Sequence, residues 1–117
     1  MATPLFWNVY GRDHELYFYP IEDSYGLSLG LLEKGEEGVI EPWCDVTVVL
    51  PDSLNCKPDE AYVKNWSENE GLDTWLIKNG VASSTGRYAM TGYVRAPLLK
   101  FDLEKVRGHT YVHELIQ

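Results

Sequence analysis

A chain of 117 residues with 44% hydrophobic and 24% charged side chains has the composition of one globular domain, which excludes wholesale disorder and a multi-domain array. Its net charge of −8 argues against general nucleic-acid binding, because most of the surface would repel phosphates. No apolar run reaches membrane-spanning length, and Met1 to Tyr10 lacks the basic start and apolar stretch of a signal peptide, so the expectation is a cytoplasmic protein with reduced thiols.

In chain order, Leu5 to Tyr10 has the aromatic and apolar character of a short strand, and residues 11–15 have turn composition. Leu16 to Ile21 has strong strand propensity, with Pro20 marking an edge or an end. Tyr25, Leu27, Leu29 and Leu31 alternate with Gly26, Ser28 and Gly30, a period of two with one small-residue face. That face leaves room for something to lie on the sheet, most simply the chain's own helix.

Gly35 to Gly38 reads as a hairpin tip. Cys44, Val46, Val48 and Leu50 then alternate with Trp43, Asp45, Thr47 and Val49 as the clearest strand of the chain, closed by a loop from Pro51 to Asp59. Ala61 to Val63 is a further short extended piece. Ser67 and Glu70 have capping-box spacing, and Leu72, Trp75 and Leu76 form an amphipathic stripe. Together they predict a helix over Ser67 to Asn79, closed by Gly80 in a left-handed conformation with Val81 packed behind it. Ser83 to Gly86 reads as a polar loop, Arg87 to Tyr93 as an extended segment interrupted at Gly92, and Leu98 to Phe101 as a strand end. Asp102 is placed to cap a helical turn through Val106, with Gly108 as its stop. The tail 109–117 is compatible with strand or helix.

The order of extended hairpin, strand, loop, helix and Gly-rich basic strand segment resembles a family of bacterial domains of unknown function, DUF4313, found on conjugative elements and phage-like islands. The residues that carry the likeness are 75–80 (Trp-Leu-Ile-Lys-Asn-Gly), Thr85-Gly86-Arg87, Gly92-Tyr93 and 97–102 (Pro-Leu-Leu-Lys-Phe-Asp), with Glu41-Pro42-Trp43 through Leu50-Pro51 also similar. On those residues the shared region ends near Gly108, leaving 109–117 as an extension. The resemblance implies an origin on a mobile element and brings no catalytic signature.

Charge is unevenly distributed. Residues 74–101 contain Lys78, Arg87, Arg95 and Lys100 and no Asp or Glu, so the rest of the chain holds all 18 acids against six bases. Segregation of this kind predicts faces of opposite sign, which select and orient partners. The candidate binding residues lie in that segment. Ser83, Ser84, Thr85, Gly86 and Arg87 could cradle an anion, against the plainer reading of a solvated turn with Arg87 paired to a carboxylate. Arg87, Tyr88, Tyr93 and Arg95 interleave aromatics with cations, the composition of a protein contact, against the plainer reading of cross-strand salt bridges. His109 and His113 share a face but lack a third fixed ligand, so no metal is expected. His14 lies between Asp13 and Glu15, and neither it nor Cys56 completes a recognisable catalytic motif, so no enzyme activity and no cofactor are expected.

The expected architecture is a single α+β domain: a largely antiparallel sheet of four to six strands with one main helix on one face. The stripe of Leu72, Trp75 and Leu76 should meet Val46, Val48, Leu27 and Leu29. The expected function is contact with another protein, as a non-enzymatic accessory protein of a phage or conjugative element. Alternatives are inhibition of host defence by acidic mimicry of DNA, through residues such as Glu33, Glu36, Glu37, Glu41, Asp59, Glu60, Glu68 and Glu70, and a small anion or ligand pocket beside Ser83 to Arg87.

Overall fold

Residues 2–21 and 26–111 are described by a computed structural model of the chain. β1 (Leu5–Val9) and β2 (Arg12–Pro20) form a hairpin whose two-residue loop, Tyr10-Gly11, has both φ angles positive, the turn whose twist matches its flanking strands. The turn is thus shorter than residues 11–15, since Arg12 to Glu15 already belong to β2. Asn8 ties it together: its Nδ2 donates to Asp13 at 2.8 Å and its Oδ1 accepts from the Gly11 N–H at 3.1 Å. β3 (Leu29–Lys34) and β4 (Ile40–Asp45), joined through the Gly35 to Gly38 turn, complete an antiparallel sheet in the order β1-β2-β3-β4. Tyr25 lies outside the described residues.

The stretch from Cys44 to Leu50 does not run as one strand. It breaks at Val46, whose N–H donates to the Leu29 carbonyl of the first sheet and whose carbonyl accepts from Lys64, just past β6, each at 2.9 Å. Fully buried, Val46 is the corner where the chain leaves one sheet and enters another. β5 (Thr47–Val48), β6 (Glu60–Val63), β7 (Ala82–Thr91) and β8 (Val94–Phe101) form the second antiparallel sheet, in the order β5-β6-β8-β7. The class is α+β as expected, with the strands divided between two sheets of four rather than one of four to six.

The main helix, α1, spans Leu72–Lys78 and starts later than Ser67. Ser67 at φ 60° and Gly71 at φ 86° interrupt the upstream segment, and Ser67–Asn69 is a 3₁₀ turn. The capping box does not form. Asn69 is instead tied to the first sheet, its Nδ2 donating to the Asp45 carbonyl at 2.7 Å. The other end follows the sequence: Gly80 has φ 74°, its N–H reaches the Ile77 carbonyl at 3.0 Å, and the Val81 N–H reaches Leu76 at 3.2 Å. This is the Schellman closure that an αL glycine permits.

Leu72 and Leu76 are fully buried with Val46, Leu29, Phe18 and Phe101, and Leu27 and Trp75 border that core. Each buried leucine contributes about 2–3 kcal/mol relative to exposure. Val48 faces the other way, into a smaller cluster with Tyr62, Ala89, Ala96 and Leu98, against which Leu50, Cys56 and Trp66 pack. α2 (Leu103–Gly108) begins at Asp102, whose carboxylate accepts the Lys105 N–H at 3.2 Å as a side-chain cap. Beyond it Thr110 pairs in parallel with Phe18. The Phe18 N–H donates to His109 at 2.9 Å and the Tyr111 N–H to Phe18 at 2.8 Å, so the segment after α2 lies along β2.

Of the small residues at 26, 28 and 30 only Gly30 lies in a strand, because β3 begins at Leu29 and Gly26, at φ 71°, is exposed before it; Gly30 is covered by a neighbouring strand rather than by the helix. Tyr19 pairs with Gly30, and a Cβ at Gly30 would come within 2.4 Å of the tyrosine ring. Gly30→Ala should therefore cost about 1–3 kcal/mol through the displaced ring. In a Tyr19→Ala background the same change should cost much less, a coupling that urea melts of the four-member cycle measure directly.

Candidate functional site

β7 and β8 build a long hairpin. Its two-residue loop, Gly92-Tyr93, joins the paired residues Thr91 and Val94, and Gly92 at φ 63° supplies the conformation the turn demands. Ala89 and Ala96, directly opposite each other, point into the smaller cluster. Alternation sends Tyr88, Met90 and Arg95 to the other face, with Met90 and Arg95 as direct partners. The Arg95 guanidinium carbon lies 4.8 Å from the centre of the Tyr88 ring, a cation–π contact. Tyr88 is 53% exposed, Met90 62%, and Tyr93 at the tip is fully solvated. Among the described residues Arg95 has no carboxylate partner.

Arg87 behaves differently. It pairs with Leu98 in register and so lies on the opposite face of the hairpin from Arg95, the chain turning at Gly92 between them. Its Nη2 donates to Glu60 at 3.1 Å, and that carboxylate is 6% exposed. The other Glu60 oxygen accepts the Lys57 N–H at 3.1 Å, holding the loop before β6. Arg87 thus neutralises a buried acid, and Lys78, Arg95 and Lys100 are the exposed cations of residues 74–101 that have no carboxylate partner among the described residues.

Ser83 to Gly86 is part of β7 rather than a loop. The register shifts between Ser84 and Arg87, a bulge with Gly86 at φ 77°. Thr85 Oγ1 donates to the Leu98 carbonyl at 2.6 Å and accepts the Arg87 N–H at 3.2 Å, while Ser84 Oγ accepts the Gly86 N–H at 3.1 Å. The N–H groups of Gly86 and Arg87, which an anion cradle would need, are therefore already bonded. Ser83 and Ser84 remain exposed.

Beside Glu60 lies a cleft of about 300 Å³ lined by Leu27, Val48, Cys56, Lys57, Glu60 and Tyr62. Both cysteines are free. Burial and, next, Glu60 raise the Cys56 thiol pKa, with Arg87 opposing, so the group is held toward its protonated form. His109 is engaged through Nδ1 with the Thr3 carbonyl at 2.6 Å, and His113 lies outside the described residues. No helix among the described residues is long and apolar enough to cross a membrane.

Sequence reasoning did not gather Trp7, Trp43, Glu33 and His14, which four different strands bring to one end of the first sheet. Only the alternation of each strand hinted at a shared face; their proximity depends on pairing between strands distant in sequence.

The fold is that of a small two-sheet α+β domain carrying a solvated aromatic hairpin. The chain belongs to the family described as Domain of unknown function (DUF4313), whose model matches residues 16–115 and so extends past Gly108 into the tail. Neither a curated protein nor a solved structure matches the chain.

Proposed function

We propose that the protein is a non-enzymatic binding protein, a cytoplasmic accessory of a bacterial phage or conjugative element, that contacts another protein through the end of the β7–β8 hairpin. The observation that carries this reading is the exposed grouping of Tyr88, Met90, Tyr93 and an Arg95 without an ion pair among the described residues, on a two-stranded support. Tyrosine and arginine bring large contact area and a charge-assisted donor at low entropic cost, which is why they dominate protein contacts. The complementary partner presents apolar groups with an acidic rim.

The test compares the tagged wild type with a Tyr88→Ser, Tyr93→Ser, Arg95→Glu triple variant in pull-downs from a bacterial host. Loss of a defined partner by about tenfold or more, at unchanged melting temperature, is the expected result for removal of a hot spot. Equal recovery by the triple variant rejects the hairpin as the contact.

Acidic mimicry of DNA is the second reading, supported by exposed Glu36, Glu37 and Glu41 around the β3–β4 turn. Glu33, Glu60 and Glu68 are already paired with His14, Arg87 and Lys64, which thins the set available to imitate phosphates. Inhibition of a DNA-binding host factor that survives neutralisation of Glu36, Glu37 and Glu41 rejects it.

A further inference from the structure

A cavity of about 210 Å³ opens where the first sheet meets the 3₁₀ turn before α1, away from the hairpin. Two indoles, Trp7 and Trp43, line it, together with Cys44, Glu68, Asn69 and Glu70. Each indole is backed by a second ring. Trp7 stacks on Trp75 with centroids 5.0 Å apart, and the Trp75 Nε1–H is fixed to the Phe6 carbonyl at 2.9 Å. Trp43 packs against His14 at 4.6 Å, and His14 Nδ1 is held by Glu33 at 2.5 Å. The acidic side is also held in place, because Asn69 anchors its turn to the Asp45 carbonyl.

Among the described residues the cavity lining holds two carboxylates, Glu68 and Glu70, and no lysine or arginine. Lys64 meets Glu68 at 3.3 Å at an exposed position, leaving Glu70 without an ion pair among the described residues. Burial first, then Asp45 and Glu68, with Lys64 opposing, push the Cys44 thiol up to about 12, so the sulfur contributes a neutral wall. Half-buried indole faces attract cations through the ring quadrupole, and carboxylates at the mouth add to the attraction. An anion would meet repulsion from Glu70, and a nucleotide would exceed the space.

We infer that the Trp7–Trp43 cavity is a binding site for an organic cation of side-chain size, an alkylammonium or guanidinium group. The two sources of that chemistry are a free amine and a basic side chain of a protein. This site does not rest on the hairpin reading.

The test follows the four indole N–H resonances by NMR while the ¹⁵N-labelled protein is titrated with tetramethylammonium chloride, N-acetyl-arginine methylamide or neutral neopentyl alcohol, at ionic strength matched with potassium chloride. The cations should shift Trp7 and Trp43 saturably, while Trp66, in the smaller cluster, stays in place. Glu70→Gln, at an exposed position, should keep the fold and weaken the cations about threefold, and Trp43→Leu should weaken them about tenfold or more. Tighter binding of the arginine amide identifies a protein side chain as the source, and tighter binding of tetramethylammonium identifies a small amine. A neutral alcohol that binds as well as the cations, or titrations that leave Trp7 and Trp43 unmoved, overturns the site. The Tyr88, Tyr93, Arg95 variant should respond to cations as the wild type does, which separates this result from failure of the hairpin contact.

Discussion

Phe18→Ala is expected to lower the free energy of unfolding by about 4 kcal/mol, the upper part of the range for emptying a core aromatic position. Phe18 is fully buried, its side chain lies in the main core, its backbone N–H and carbonyl are both bonded to the 109–111 segment, and Leu31 of β3 lies opposite it on the other side. Little of the cavity can collapse, because three strands meet around it. A domain of this size has roughly 5–15 kcal/mol in total, so the variant should remain folded only at low denaturant. Phe18→Leu, which keeps most of the volume, should cost about 1–1.5 kcal/mol. Urea melts of the three proteins decide the matter, and a change below about 1 kcal/mol for the alanine variant contradicts the packing described.

Trp75→Ala should cost about 3 kcal/mol, near the lower end for a tryptophan because the ring is only half-buried. The loss combines the stack on Trp7 with the hydrogen bond from Nε1 to Phe6, which spans 69 residues of sequence and fastens α1 to β1. Trp75→Phe separates the two contributions. It retains a ring against Trp7 and should lose about 1 kcal/mol for the hydrogen bond. If both substitutions melt like the wild type, α1 is not held to the first sheet by this side chain.

Much of the architecture was legible because it is local. The glycine closure at Gly80 and the Asp102 cap each depend on a few neighbouring residues, and each forms as expected. The failures share one cause, a bond to a distant strand that overrides a local pattern. Ser67 and Glu70 have the spacing of a cap, but Asn69 is tied to Asp45, and the helix starts at Leu72 instead. Cys44 to Leu50 alternates without a break, yet Val46 is bonded to Leu29 and Lys64 on different sheets, so the strand must divide there.

The candidate site was legible in composition and not in arrangement. Tyr88, Tyr93 and Arg95 are exposed on one hairpin, while Arg87, one residue from Tyr88, faces the other way and serves Glu60. Alternation along a strand predicts that Arg87 and Tyr88 part company; the acid that Arg87 meets lies 27 residues earlier and has no local signature. The tryptophan cavity was hidden for the same reason, since Trp7 and Trp43 become neighbours only after four strands have paired.

The parallel pairing of Thr110 with Phe18 has a consequence for the order in which the molecule assembles. During synthesis β1 to β4 emerge early and can form their hairpins at once, yet β2 keeps an unsatisfied edge at Phe18 until the residues around position 110 have cleared the ribosome. Closing so long a loop makes this a late event, and the exposed edge of the nascent sheet is where a chaperone or a second nascent chain would attach first.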